Sequence, residues 1–454
     1  MNIYLFLSFP VVAVCIYKLT IVPDSSLYFT TNLLILLFSY IGMMVEPNKN
    51  FTLSKIVFIF MFFFFGFVPL NDELNGNLYW GGGEIDVFYK IVTNFLILIG
   101  IIAFFVGSKV KLNFFNRIIS SLPNIRNINI LFFILLFSII FFLILFVYDF
   151  DLLKLLFRGT DGYLFDESYT KLSQVDHLLF DNFIRPMPIL LLIIFLFFHQ
   201  NNKQACSYCE RLILDILLTV FFTAAIFLVS PTSIPRFQAA TLYIPLIIIF
   251  TNLWDRPYSM QLTLLGGLLF VMPFLDKFRE FNYESFEWSI NLKFLNHGHF
   301  DAYQNFARAI ELDFFSGGSQ LLGSLLFFIP RSFWEGKPIG SGHALADLAG
   351  YKFSNISMPF IAEGYINFGF IGVPLFMFLL GLILGNLDRI AWGMKKKHTY
   401  NLFIYFYYLL FGMIFFMMRG DLMSSFAYTV GLTCSFWFLV FLLKYTGKGY
   451  IIRV

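Results

Sequence analysis

Apolar segments long enough to cross a membrane follow one another along most of this chain, and that succession leaves few ways to fold it. A bilayer-spanning helix needs roughly 20 mostly apolar residues. Twelve stretches qualify: 3–20, 27–45, 52–70, 88–107, 128–148, 183–199, 212–229, 239–253, 259–275, 358–385, 400–418 and 422–444. Only 13% of the 454 residues are charged, about half the share of a soluble domain. The expectation is an all-α polytopic membrane protein of about twelve transmembrane helices, forming one integral membrane domain over residues 1–454. The N-terminus lacks a basic run and a small-residue cleavage site, so the first segment reads as a retained helix.

The charges set the orientation. Excess Lys and Arg in short loops marks the cytoplasmic side. Lys49 and Lys55 occupy one loop, and Lys109, Lys111, Arg117 and Arg126 the next but one. Lys203 with Arg211, then Arg256, then Arg389 with Lys395–Lys397, and finally Lys444, Lys448 and Arg453 continue the series. The alternate loops are acidic: residues 71–87 carry Asp72, Glu73, Glu84 and Asp86 and no base. This alternation predicts that both termini are cytoplasmic. Lys18, near the outer end of the first segment, departs from the pattern, and its long side chain can snorkel.

Two external segments stand out, 149–182 and 276–357. The first holds seven acids against three bases, and Asp151–Gly159 reads as a short interfacial helix stopping at the glycine. The second is the long external loop. Phe300, Tyr303, Phe306, Ala307 and Ile310 share one face at helical spacing and predict an amphipathic helix. Leu321–Pro330 is too short to span and reads as a re-entrant or interfacial piece. Gly317-Gly318, Pro330 and Pro338 supply its turns.

The chemistry-bearing residues gather at the external helix ends. Arg331, Trp334 and Lys337 lie together in Ile329-Pro-Arg-Ser-Phe-Trp-Glu-Gly-Lys-Pro338, an arrangement suited to an anionic, lipid-linked substrate. Arg236 opens the eighth segment and Arg419 lies between the last two. A guanidinium is always charged and its planar fork matches phosphate oxygens; the alternative for each is a headgroup anchor. Glu363 lies about one turn inside the tenth segment, where an unpaired charge is costly. It reads either as a general base with a raised pKa or as an ion-pair partner. Asp421 reads as the partner of Arg419.

Other chemistry is thinly represented. His297, His299 and Asp301, or His343 with Asp347, have the residue types of a metal site. Such pairs arise by chance in a polar loop, so no metal is expected, and His343 is read as an acid, base or substrate contact. Cys206 and Cys209 form a single CxxC with no second pair, which reads as reduced thiols. No phosphate-cradling GxxxxGK[ST] and no GxSxG is present. Asp72-Glu73 only faintly suggests an acidic, metal-binding loop. A transporter would carry charges within several helices along a central path, whereas here they cluster at helix ends.

Phe328-Ile-Pro-Arg-Ser-Phe-Trp-Glu-Gly-Lys-Pro338 is similar to the Pro-Arg/Ser-x-x-Trp-x-x-Lys/Arg-Pro segment of Wzy-type O-antigen or oligosaccharide repeat-unit polymerases. Ser357–Gly369 resembles the segment opening that family's next helix, and Arg236 and Arg419 fall at external junctions where it carries arginines. The resemblance implies a GT-C-like glycosyltransferase of the bacterial inner membrane with a periplasmic active face and no cofactor. It would move a growing glycan from one undecaprenyl pyrophosphate onto a new lipid-linked unit. Arg331, Glu363 and His343 would then be catalytic, and Arg236, Arg419, Lys337, Trp334 and Tyr365 would bind substrate, the aromatics by stacking on sugars. Expected partners are the lipid-linked oligosaccharide, membrane lipid and a chain-length-regulating co-polymerase of the Wzz type, and no nucleic acid. The alternatives are an O-antigen ligase and a lipid-linked oligosaccharide flippase.

Overall fold

The computed structural model describes residues 26–44, 49–123, 128–157, 179–202, 207–251, 253–256, 259–276, 298–397 and 401–446. The expected helix at 3–20, Gly159, Cys206 and the loop through His297 lie outside them. The described residues are helical and contain no strand. In chain order the helices are α1 (Ser26–Met44), α2 (Leu53–Asn75), α3 (Val87–Lys109), α4 (Asn113–Ser121), α5 (Ile130–Val147) and α6 (Leu152–Leu156). Next come α7 (Phe180–Asn202), α8 (Tyr208–Leu228), α9 (Arg236–Thr251) and α10 (259–276, with a π-helical turn at Gly267–Val271). The last six are α11 (Ala302–Glu311), α12 (Ser319–Leu325), α13 (Ser341–Leu348), α14 (Phe360–Lys396), α15 (Leu402–Arg419) and α16 (Leu422–Thr446).

Nine of these, among the described residues, are long and apolar enough to cross a membrane. Of the other expected spans, α9 has 16 residues and α10 is interrupted by its π turn. On α5, Leu131, Leu135, Ile139, Phe142 and Phe146 are all exposed. Their three- and four-residue spacing is one helix face, the face a bilayer would cover.

The chain divides into two compact units. One comprises Met1–Phe115, Leu292–Trp392 and Met413–Ala427; the other comprises Asn116–Asn291, Gly393–Gly412 and Tyr428–Val454.

The first unit is built around α2, which is almost wholly buried. Its Phe-rich stretch Met61–Phe67 winds as a π-helix. A π turn displaces backbone carbonyls from the regular ladder, and Asn32 of α1 donates to the Phe65 carbonyl at 3.3 Å. Helices α3 and α14 approach closely through glycines: a Cβ on Gly381 would stand 2.2 Å from the Phe104 carbonyl oxygen, and one on Gly385 2.3 Å from that of Ser108. Small residues four apart let backbones meet in this way.

The two ends of this unit separate the loop types that the charges distinguish. At one end Asp388 caps α2, accepting from the Leu53 and Ser54 N–H groups at 2.8 and 3.0 Å. Nearby, Arg389 donates to the Ser108 carbonyl at 2.7 Å, and Trp392 to that of Phe51 at 2.8 Å. At the other end Gln304 donates to Asp72 at 3.1 Å and Lys90 pairs with Glu73 at 2.8 Å. The basic loops of this unit thus meet at one end and its acidic loop at the other.

In the second unit, α7 is buried from Ile189 to Phe198. Phe133, Phe195 and Phe221 form a ring cluster with centroids 4.9 to 5.1 Å apart. His199 of α7 meets Asp215 of α8 at 2.7 Å. Arg185, 4% exposed, pairs with Asp181 at 3.4 Å and donates to Ser233 at 3.0 Å.

Candidate functional site

The site begins with a break in a helix. Phe368 and Gly369 leave helical geometry, and Gly369 has φ 62° and ψ −148°, a conformation open to glycine. The chain folds back sharply: a Cβ on Gly364 would lie 2.6 Å from the Gly372 carbonyl oxygen. The continuous tenth segment expected from hydropathy is therefore a short helix carrying Glu363, a break, and a long span. The carbonyl of Ile366 beside the break accepts from the Ser316 N–H at 2.7 Å. Asn367 accepts from the Leu321 N–H at 2.7 Å, which ties down the start of α12.

Glu363 is 1% exposed. Its Oε1 accepts from the Leu422 N–H at 2.8 Å and from the Ser341 hydroxyl. A carboxylate thus satisfies a donor at the start of α16, where the helix dipole favours negative charge. Its Oε2 is buried with no hydrogen-bond partner among the described residues. Asp421 caps the same helix, accepting from the Ser424 N–H at 2.8 Å. It also faces Gly340, where a Cβ would stand 2.9 Å from its Oδ2. Burial pushes the Asp421 carboxyl above its ordinary range, while the bonds from Ser424 and Met423 pull it down.

The Pro330–Pro338 loop is braced by its own cations. Arg331 donates through Nη1 to the Lys337 carbonyl and through Nη2 to that of Pro338, the latter at 3.0 Å. Lys337 donates in return to the carbonyls of Phe327 at 2.6 Å and Ile329 at 2.9 Å. Lost hydration first, and the Arg331 charge second, hold the Lys337 ammonium below its ordinary range. The apolar tips stay outside: Phe333 is 85% exposed and Phe328 66%. Pro338 packs on Gly323 of α12, and Met423 of α16 reaches the same glycine.

Arg419 ends α15, and its carboxylate partner is Asp301, not Asp421. Its Nη2 lies 3.5 Å from Asp301 Oδ1 and its Nε donates to the His299 carbonyl at 2.9 Å. Asp421 is spent on α16, so the sequence neighbour loses to one 118 positions away. Asp301 is fully buried and also binds Trp80 at 2.8 Å, Asn305 at 2.9 Å and Ser357.

The remaining candidates fall as follows. His343 is exposed on α13, 3.5 Å from Asp347. Trp334 is partly exposed in the loop. Tyr365 is 4% exposed, with its ring against Phe306 and Phe370. Arg236 opens α9 in the second unit; the others all belong to the first. Asp72, which accepts from Tyr79 at 2.5 Å and from Asn77 at 3.2 Å, holds a loop together. Among the described residues no three His, Cys, Asp or Glu side chains are grouped to hold a metal ion.

Sequence reasoning did not single out Trp80, Ser341, Ser357 or Arg185. Serines carry no signal of their own. Arg185, in Asp181-Asn-Phe-Ile-Arg-Pro186, shares with Arg236 and Arg331 a position next to proline at a helix junction, and that signal was available.

Residues 345–448 match the family model described as O-antigen polysaccharide polymerase Wzy. No curated protein and no solved structure matches the chain. The matched stretch contains Glu363, Arg419 and Asp421, and the match supports the Wzy-type family, to whose polymerases this chain is similar over that span.

Proposed function

We propose that the chain is a polymerase of polyprenyl-pyrophosphate-linked repeat units, a glycosyltransferase of GT-C type acting at the external face of the bacterial inner membrane. The family match supports an O-antigen polymerase at the family level. The observation that carries the finer reading is a run of contacts in the first unit. Arg331 holds Pro338, Gly340 abuts Asp421, Ser341 bonds Glu363, and Glu363 bonds the residue three beyond Arg419. Cations and a buried carboxylate therefore share one end of the unit, the end that carries the acidic loop.

The chemistry follows from these groups. Transfer of a glycan from a polyprenyl pyrophosphate breaks the anomeric C–O bond and leaves negative charge on the pyrophosphate. Fixed guanidinium groups stabilise that charge without reorganising. The acceptor hydroxyl loses a proton as the new bond forms, and Glu363 is the assigned base, with His343 as the exposed alternative. The Pro330–Pro338 loop, with Phe328 and Phe333 outward, sits at headgroup level, where Arg331 and Lys337 meet the lipid-linked anion. Arg236, Trp334 and Tyr365 remain proposed substrate contacts, with Tyr365 requiring its ring to be uncovered. A Wzz-type co-polymerase remains the proposed partner.

A deletion strain tests this. It should still export lipid-linked units and cap its lipid A with single units, and only the ladder of longer chains should vanish. Loss of single-unit capping too would point to the ligase or flippase reading.

A further inference from the structure

We propose that Asp301 is a positioning residue for Arg419, gripping one edge of that guanidinium so that the opposite edge is presented to an anionic group of the substrate. The proposal rests on the polymerase reading above.

Asp301 occupies the N-cap position of α11, yet its side chain makes no bond to that helix's own N-terminal N–H groups. Its oxygens are used elsewhere. Oδ2 accepts from Trp80 Nε1 at 2.8 Å, Asn305 Nδ2 at 2.9 Å and the Ser357 N–H at 3.2 Å. Oδ1 takes the Ser357 hydroxyl and faces Arg419. Three separate segments thus fix one carboxylate. The Trp80 ring is itself held, stacked on Phe353 at 4.9 Å and seated on Gly298, where a Cβ would come within 2.3 Å of it. This set of donors orients the carboxylate far more than a cap requires.

The consequence for Arg419 is directional. Nε bonds the His299 carbonyl and Nη2 meets Asp301, so the side edge of the guanidinium is occupied. Nη1 has no partner among the described residues, and the side chain is 28% exposed. The end-on fork is therefore open to a pair of phosphate oxygens. At Arg331, by comparison, each terminal nitrogen already gives one of its two N–H groups to a carbonyl. A buried carboxylate needs a compensating cation. A brace alone, however, would not require the other edge to stay open.

The test is a double-mutant cycle on chain extension with purified protein and a lipid-linked repeat unit. In Asp301→Asn the amide oxygen can keep the three Oδ2 donors, while its NH2 turns against Arg419. We expect Asp301→Asn to lower kcat/KM about tenfold, and to cost less than about twofold in an Arg419→Ala background, because coupled residues are non-additive. Losses that multiply in the double variant would overturn the proposal, as would full activity of Asp301→Asn. If Asp301→Asn does not accumulate, Trp80→Phe, which removes a donor that orients the carboxylate from Oδ2 and keeps a ring against Phe353, replaces it under the same criterion. A substrate-free readout is the 15N spectrum of the arginine side chains. A slowly exchanging, rotationally hindered Arg419 Nη2 signal should be present in the wild type and lost in Asp301→Asn, with the Nε–H on the His299 carbonyl as internal reference; an unchanged Nη2 signal would count against the proposal. If the wild type builds no chains at all, the polymerase reading falls, and the spectrum alone decides the positioning claim.

Discussion

Glu363 accepts a hydrogen bond from the Leu422 N–H at 2.8 Å, so a side chain of α14 completes the start of α16. The contact joins residues 59 apart and places a buried carboxylate against the residue one beyond Asp421 and three beyond Arg419. Its second oxygen lacks a partner among the described residues.

Glu363→Gln separates the two roles. The amide oxygen can still accept from Leu422, so membrane levels should be near normal while chain extension falls about a hundredfold, the scale of a lost general base. Glu363→Ala should in addition lower stability by about 1 kcal/mol, the usual cost of removing a cap. Ladder length on gels and yield in detergent read the two effects. Full extension by Glu363→Gln would remove Glu363 as the base and leave His343.

Arg331→Ala should cut extension strongly, and Arg331→Lys should cut it less, since Lys keeps the charge but loses the paired geometry. Removing a transition-state charge contact costs about 3 kcal/mol, or roughly a hundredfold in rate. Both proteins should accumulate, because the Arg331 side chain is exposed and braces only its own loop. Normal ladders from well-expressed Arg331→Ala would pass the phosphate role to Arg236 or Arg419.

Asp421 gives a pH dependence of stability. Burial holds its carboxyl above the ordinary range in the folded state. Between the ordinary Asp pKa and that raised value, the unfolded chain has lost the proton and the folded one has kept it. Stability should therefore fall as pH rises through that window and level off above it. Asp421→Asn, an equally good cap, should flatten that part of the profile, as read by thermal unfolding in detergent. An unchanged slope would show that other groups carry it.

Gly381→Leu should strongly reduce folded protein. The added side chain would meet the Phe104 carbonyl at 2.2 Å from its Cβ, and the backbone of α3 would have to move. The same change at Gly393, where nothing lies within 4 Å of a Cβ, should be tolerated. Detergent-solubilised, monodisperse yield distinguishes the two.

An external-side reporter fused after Ser316 should be active, and one fused after Lys396 silent. The motivation is the meeting of the basic loops at one end of the first unit. Activity at Lys396 would reverse the orientation of the whole chain.

Hydropathy alone determined the class of this protein, because a bilayer requires about 20 apolar residues per crossing and each such helix can be read locally. The turns at Gly317 and Gly318 were equally legible, since their positive φ values of 59° and 90° suit glycine. The Ser357–Gly369 motif, which carries part of the resemblance to Wzy-type polymerases, falls inside the stretch that matches that family model. What the sequence could not determine was pairing. Arg419 lies next to Asp421 in the chain but is held by Asp301, because Asp421 is consumed at the start of α16. Gly369 looks like any glycine of an apolar helix, and only the close approach of Gly364 to Gly372 makes it a break. Periodicity reports which face of a helix is apolar; it carries no information about which distant donor or charge will reach that face, and the contacts of Glu363 and Asp301 are of that second kind.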